Sequence, residues 1–519
     1  VRATKVLAAG VLVLALVTGC QSSPGASSTA PDTSDGHDEI GSNQPQLGSS
    51  DWQMHDSQVA GPMELAGYAD HVSVRSGEPF RLFVTSSAGA YTVRAFRIGW
   101  YAGAGAKLIW TSPSVPGKAQ PQPILTKDRM ITAANWSPTL TVQTKGWPAG
   151  SYLLLLRATN GKEKYVPLVV RSDRARDAVL IVSGVNTDEA YNAWGSYSLY
   201  HGPRKSAAKR SLMVTFDRPY DLNGARGMLT DNVPLVQQAE RSGVRLAYAT
   251  SVDLQADPGL LKGAKAIVFG GHDEYWTLPA RAAITRARDA GTNLAFMGAN
   301  SVFWRVRYGP DAHGANRIMI GYKDAKLDPS HNAPDTTVHW RAAPYPDPEN
   351  SLTGMLYECF PAKGAFTVLD PNFFLFTGTG AGAGSAYAGL IGDEADRAYP
   401  IAGTPANLQV VAHSPITCGP KHTISDASYY TVPSGAGVFT TGTIEWVRAL
   451  QGPDPENNVG QPSVDFARQV TQNLFKALAE GPLGRKHPAV GNLPSLHNQA
   501  STSTGTGGRV GPSKGPVHP

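Results

Sequence analysis

The sequence predicts an α/β plus all-β chain, with a β-sandwich domain of immunoglobulin-like size followed by a parallel α/β domain. Two observations predict this. Between residues 67 and 171, short alternating runs are punctuated by turn residues, the pattern of an antiparallel sandwich. From residue 176 onward, apolar runs of strand length alternate with helix-length segments, which implies a parallel sheet with helices on both faces.

The β strands are expected at residues 80–84, 91–96, 140–142, 151–155 and 164–170. In the second part, strands are expected at 179–182, 245–249, 264–269 and 293–297, with helices at 233–242 and 280–290. The rhythm lapses at 310–435, where Gly, Pro and Asp are frequent, and this stretch reads as an insertion around the ligand side of the sheet. It resumes with a strand at 437–441 and a helix at 464–479. The domain boundaries that follow are 65–172 for the sandwich and 173–482 for the α/β domain.

The 519-residue chain has a net charge of +5 with scattered basic residues, which does not indicate nucleic-acid binding. Residues 1–20 read as a signal peptide, with Arg2 and Lys5 before an apolar core too short for a transmembrane helix. The core ends in Val17-Thr18-Gly19-Cys20, similar to a bacterial lipobox with Cys20 as the lipidated residue. Residues 21–64 and 483–519 have the composition of a flexible tether and a disordered tail. The expectation is an exported lipoprotein on the outer face of the cell membrane. Cys359 and Cys418 then remain as a disulfide candidate.

Chemistry concentrates at Gly270-Gly271-His272-Asp273-Glu274-Tyr275-Trp276, directly after the apolar run 264–269. In open α/β sheets ligands bind at the carboxyl ends of the strands. Three further segments near strand ends carry polar or aromatic groups: 186–195 with Tyr191, 216–221 with Tyr220, and 298–304 with Asn300. The spacing of these groups matches no zinc motif, phosphate loop or dinucleotide fingerprint. Carboxylate and phenolate oxygens suit a hard, highly charged cation.

The segments Ala190-Tyr191-Asn192-Ala193-Trp194-Gly195, Arg218-Pro219-Tyr220-Asp221-Leu222, His272-Asp273-Glu274-Tyr275-Trp276 and Met297-Gly298-Ala299-Asn300 resemble the large-subunit family of N,N-dimethylformamidase. The resemblance extends over roughly residues 65–480. It implies a glutamine-amidotransferase-like (flavodoxin-like) α/β domain without the catalytic cysteine, and a mononuclear ferric iron, Fe(3+), held by two tyrosines and a glutamate. By motif these are Glu274, Tyr191 and either Tyr220 or, failing that, Tyr248. The resemblance places His272 and Asn300 near the substrate and Glu394 as a general base. It implies hydrolysis of a small-molecule amide. Asp273 stands where the family's enzyme has proline, and the tethered chain shows no sign of that enzyme's small partner subunit.

Two other readings compete on sequence alone. One is a non-catalytic envelope protein that binds glycan through aromatics such as Trp100 and Tyr101. The other is a sugar-active enzyme with paired carboxylates among Asp273, Glu274 and Glu394.

Overall fold

The computed structural model describes residues 47–496. They form a mixed α/β structure with several sheets and more strand than helix. Two antiparallel-dominated sheets account for most of residues 65–171. One contains Leu65–Ala69, Phe80–Ser86 and Leu140–Val142, and the other is built mainly from Tyr91–Ile98, Gly150–Ala158 and Glu163–Arg171. Leu82, Val84, Val93, Leu154 and Val166 from the two sheets share one buried core, because alternate side chains of each strand point to the same face.

Nine strands build the large sheet: β1 (Val179–Ser183), β2 (Leu246–Thr250), β3 (Ala266–Phe269), β4 (Asn293–Phe296), β5 (Leu356–Thr367), β6 (Ala386–Arg397), β7 (Gln409–Cys418), β8 (Lys421–Thr431) and β9 (Gly437–Thr440). Their order is β2-β1-β3-β4-β9-β8-β7-β5-β6. The first five in that order pair in parallel and the remainder antiparallel. Four helices matter for the site: α1 (Val185–Tyr191), α2 (Val233–Arg241), α3 (Leu278–Asp289) and α4 (Gln461–Glu480).

The alternation of side chains along the parallel strands assigns the helices to faces. Ile181, Val268 and Ala295 join the core that holds α2 and α4, while Leu180, Ile267 and Leu294 join the core that holds α3. Strands covered on both faces read as nearly continuous apolar runs, and β1 to β4 do so apart from Ser183, Thr250 and Asn293 at their ends. Thr277 caps α3 by accepting from the Ala280 N–H at 3.3 Å, with Pro279 in the first turn.

The region 310–435 differs from expectation. Its core is not a loop-rich elaboration but four long strands, β5 to β8, that extend the same sheet. β5 hides its alternation because its pairing with β6 shifts register between Tyr357 and Cys359, Cys359 and Ala362, and Gly364 and Phe366. The first two, each one extra residue on β5, transfer the following side chains to the opposite face. Cys359 of β5 and Cys418 of β7 form a disulfide, with Cα atoms 6.2 Å apart.

Parts of the expected tether and tail also pack. Trp52 is buried, donates its indole N–H to the Ala104 carbonyl and offers its own carbonyl to the Tyr165 hydroxyl. At the other end, Leu493 is buried and Asn492 accepts from the Val410 N–H at 2.7 Å. A few anchoring side chains fix segments whose average composition is that of a linker. The signal segment and Cys20 lie outside the described residues. Among the described residues no helix is long and apolar enough to cross a membrane.

Candidate active site

Glu274 lies four residues before the start of α3, in the turn that follows β3, and its side chain is fully buried. Its backbone N–H donates to Thr187 Oγ1 at 2.9 Å, which ties the turn to α1. Its carboxylate receives the Tyr191 hydroxyl at 3.0 Å and the Tyr200 hydroxyl at 2.8 Å to each oxygen. Tyr275 in turn donates to the Tyr200 oxygen at 2.7 Å. The rings of Tyr191 and Tyr200 lie 4.3 Å apart between centroids. Two phenol oxygens and a carboxylate therefore converge on one point.

His272 stands between two carboxylates, with Nε2 3.5 Å from Glu274 and 3.4 Å from Glu394. Burial alone would lower the imidazole pKa, but Glu394 and Glu274 outweigh it and hold His272 up to about 10. Burial raises Glu274, an effect partly offset by His272. Burial and the Glu274 charge push both phenols well above the ordinary tyrosine range, so without a cation they act as donors. The Lys323 ammonium lies 3.5 Å from the Tyr200 ring centroid, and burial drives its pKa well below the usual lysine range.

These groups open onto a cavity of about 460 Å³. Tyr191, Tyr200, His272 and Glu394 line it, in front of the buried Glu274. Arg448 braces the wall, with Nε 3.0 Å from Asp231 and Nη1 2.6 Å from Asp393. Asp393 adopts a left-handed φ of 61° and precedes Glu394. The Asp231 carbonyl accepts from the Gly271 N–H at 3.1 Å. A Cβ at Gly270 would lie 2.5 Å from that carbonyl oxygen, so only glycine permits the approach.

The structure brings together Tyr191, His272, Glu274 and Glu394, drawn from three separate stretches of sequence. It does not bring Tyr220 or Tyr248 to Glu274. Tyr220 lines the cavity, and its pKa is raised by burial, Glu189 and Asp188 rather than by Glu274. Tyr248 bonds to Glu240 at 2.8 Å, beside Arg97 of the β region. The place expected for either is taken by Tyr200, which sits in an irregular segment after α1 where no periodicity marks it. Asn300 is not among the residues lining the cavity. Its backbone N–H donates to Asp396 at 2.8 Å, and its buried side-chain amide has no hydrogen bond. The Asp273 carboxylate is buried without a hydrogen bond, also outside the cavity lining, and burial raises it to about 7. Trp100 is not a free glycan platform, because Arg241 of α2 lies over its ring at 4.7 Å.

Residues 92–461 match the model of the N,N-dimethylformamidase beta subunit-like, C-terminal family. The chain belongs to that family. No curated protein matches it. Among solved structures, a Paenibacillus sp. cycloisomaltooligosaccharide glucanotransferase complexed with cycloisomaltoheptaose aligns at 9% identity over 72% of this chain and 70% of that one. Its TM-score of 0.16 carries no argument.

The donors at Glu274 fit the oxygen-rich site that a dimethylformamidase-like reading requires. Glu274 and the two phenols, once deprotonated, would offer three anionic oxygens to a trivalent cation, whose binding would displace the phenol protons that now bridge to Glu274. A second group, Asp217, Asp311 and His313, also has metal-ligand spacing. There Asp217 is already balanced by Arg317 at 2.5 Å and bonded to His313 at 2.8 Å, which leaves it a poorer ligand.

Proposed function

We propose that this chain is an amide hydrolase dependent on ferric iron, with Tyr191, Tyr200 and Glu274 as the residues that hold the metal. The carrying observation is the convergence of both phenols on one buried carboxylate, with His272 between that carboxylate and Glu394. Bound there, iron(III) would supply Lewis-acid chemistry toward the amide carbonyl. The protein's own part is proton transfer. Glu394 is placed to take a proton from water, and His272, which holds its proton between the two carboxylates, to give one to the departing amine nitrogen. The cavity walls orient the amide and limit its access to bulk water.

We propose further that the fold is an immunoglobulin-like domain followed by an amidotransferase-like sheet whose nucleophile position is filled by the His272–Glu274 turn. We also read residues 1–20 as a lipoprotein signal, so the substrate would be met at the outer face of the membrane.

The test is metal analysis with a visible spectrum after ferric reconstitution. Wild type should bind near-stoichiometric iron with a tyrosinate-to-metal band. Tyr200→Phe should lose the band and most of the iron, and Tyr220→Phe should keep both. A protein that stays colourless and metal-free would end this reading in favour of a non-catalytic binding protein.

A further inference from the structure

We infer that the amide taken by this site carries a cationic amine, held at the Asp188 carboxyl group beside the proposed metal ligands. The inference rests on the amide-hydrolase reading and names its substrate class.

Asp188 lies on α1 three residues before Tyr191, a spacing that puts both side chains on one helix face, about 5–6 Å apart at Cβ. Both residues line the main cavity. Asp188, Tyr220 and Met228 also line a smaller, mainly apolar cavity of about 40 Å³, so Asp188 marks the junction of the two spaces. Gly227 packs against this carboxyl group: a Cβ there would lie 1.9 Å from Asp188 Oδ1, so a side chain would push the carboxyl aside.

The other acids of the cavity have partners. Asp231 and Asp393 share Arg448, Glu394 faces His272, and Asp221 accepts from the Ala193 N–H at 3.2 Å. Among the described residues the Asp188 carboxyl has neither a hydrogen bond nor an ion pair. Asp188 is only part-buried, so its carboxyl faces the cavity, where an arriving ammonium would form a charge-assisted bond with it.

Arg226 is the rival signal, since it lines the cavity without an ion pair among the described residues. Arg226 is exposed while Asp188 is part-buried, and the more solvated charge attracts its counterion more weakly. A volume of about 460 Å³ lies within the usual range for drug-sized ligands, with room for an aminoalkyl arm. Hydrolysis then adds the water oxygen to the acyl carbon, breaks the C–N bond and delivers a water proton to the leaving nitrogen.

The test uses isothermal titration calorimetry on the iron-loaded full chain with three matched probes: N-(4-aminobutyl)acetamide, N-pentylacetamide and 5-acetamidopentanoate. The acyl-arm isomer 5-amino-N-methylpentanamide covers the opposite attachment. One of the two amines should bind at least about ten-fold more tightly than the neutral probe, equivalent to about 1.4 kcal/mol. Asp188→Asn should abolish that preference and leave neutral-probe affinity unchanged. Gly227→Ala, which crowds Asp188 from outside, should weaken it as an independent variant. Tightest binding of the carboxylate, or a preference that survives in Asp188→Asn, would overturn the assignment. Amine preference with no hydrolysis of any probe would leave the subsite standing and count against the hydrolase reading.

Discussion

Glu274 shows how much a single residue depends on its neighbours here, since a buried carboxylate is tolerable only with compensation. Two phenol donors and the nearby imidazole provide it. The Arg218-Pro219-Tyr220-Asp221 segment contributes differently from its sequence reading. Arg218, not Tyr220, is its structural centre. The guanidinium pairs with Glu189 at 2.5 Å, both side chains fully buried, and donates to the Asn192 and Tyr197 carbonyls at 2.9 Å. These bonds hold the end of α1, and hence Tyr191, against the 216–221 segment. Arg218→Met leaves Glu189 buried without its cation and should destabilise the fold by about 3–5 kcal/mol. Urea denaturation would measure this, and a change below about 1 kcal/mol would show that Arg218 has no such role.

Turns and strand ends position the chemistry at the scale of elements. The turns after β3 and β4 touch so closely that a Cβ on Gly298 would lie 1.9 Å from the Gly271 carbonyl oxygen. The Asp231–Arg448–Asp393 bridge joins the segment Met228–Asn232, whose Asp231 carbonyl accepts from Gly271 beside His272, to the strand β6 that bears Glu394. Arg448→Met should therefore loosen the His272–Glu394 pair without touching the metal donors. Turnover of an amide that the wild type hydrolyses should fall by about a hundred-fold, with KM and iron content little changed. Steady-state kinetics alongside metal analysis would check this. Loss of iron in the variant would instead mean that the bridge shapes the donors at Glu274.

Across the whole molecule, buried acids set the pH response. Burial raises Asp188 and Asp396 to about 8, and Asp273 and Glu445 to about 7. A carboxyl whose folded pKa exceeds its unfolded value binds more protons folded than unfolded between the two, so stability falls as pH rises through the folded value. His272, held up to about 10, acts in the same direction. Asp70 and Asp328 are lowered to about 2, so their contribution is lost only as pH falls below the usual carboxylate range. His339 is lowered to about 4, and its opposing effect begins only below the ordinary histidine pKa. The metal-free protein should therefore grow more stable from about pH 8.5 to about pH 6.5. Urea midpoints across that window measure it, and a flat or rising dependence on pH would contradict this charge assignment.

The sequence by itself determined the parallel strands, the helices on their two faces and the turn that carries His272 and Glu274. These are local signals, because apolar runs, helical spacing and a Thr-capped Pro start are written in consecutive residues. It also determined Tyr191, through its motif at the end of α1. The tertiary structure alone decided that Tyr200 and not Tyr220 meets Glu274, since both are aromatic residues in irregular chain and only packing separates them. It alone extended the sheet through β5 to β8, whose bulges break the period-two pattern that sequence reading relies on. It alone placed Asp188 at the junction of two cavities, because enclosure and the lack of a partner are properties of the surroundings and not of a residue's own segment.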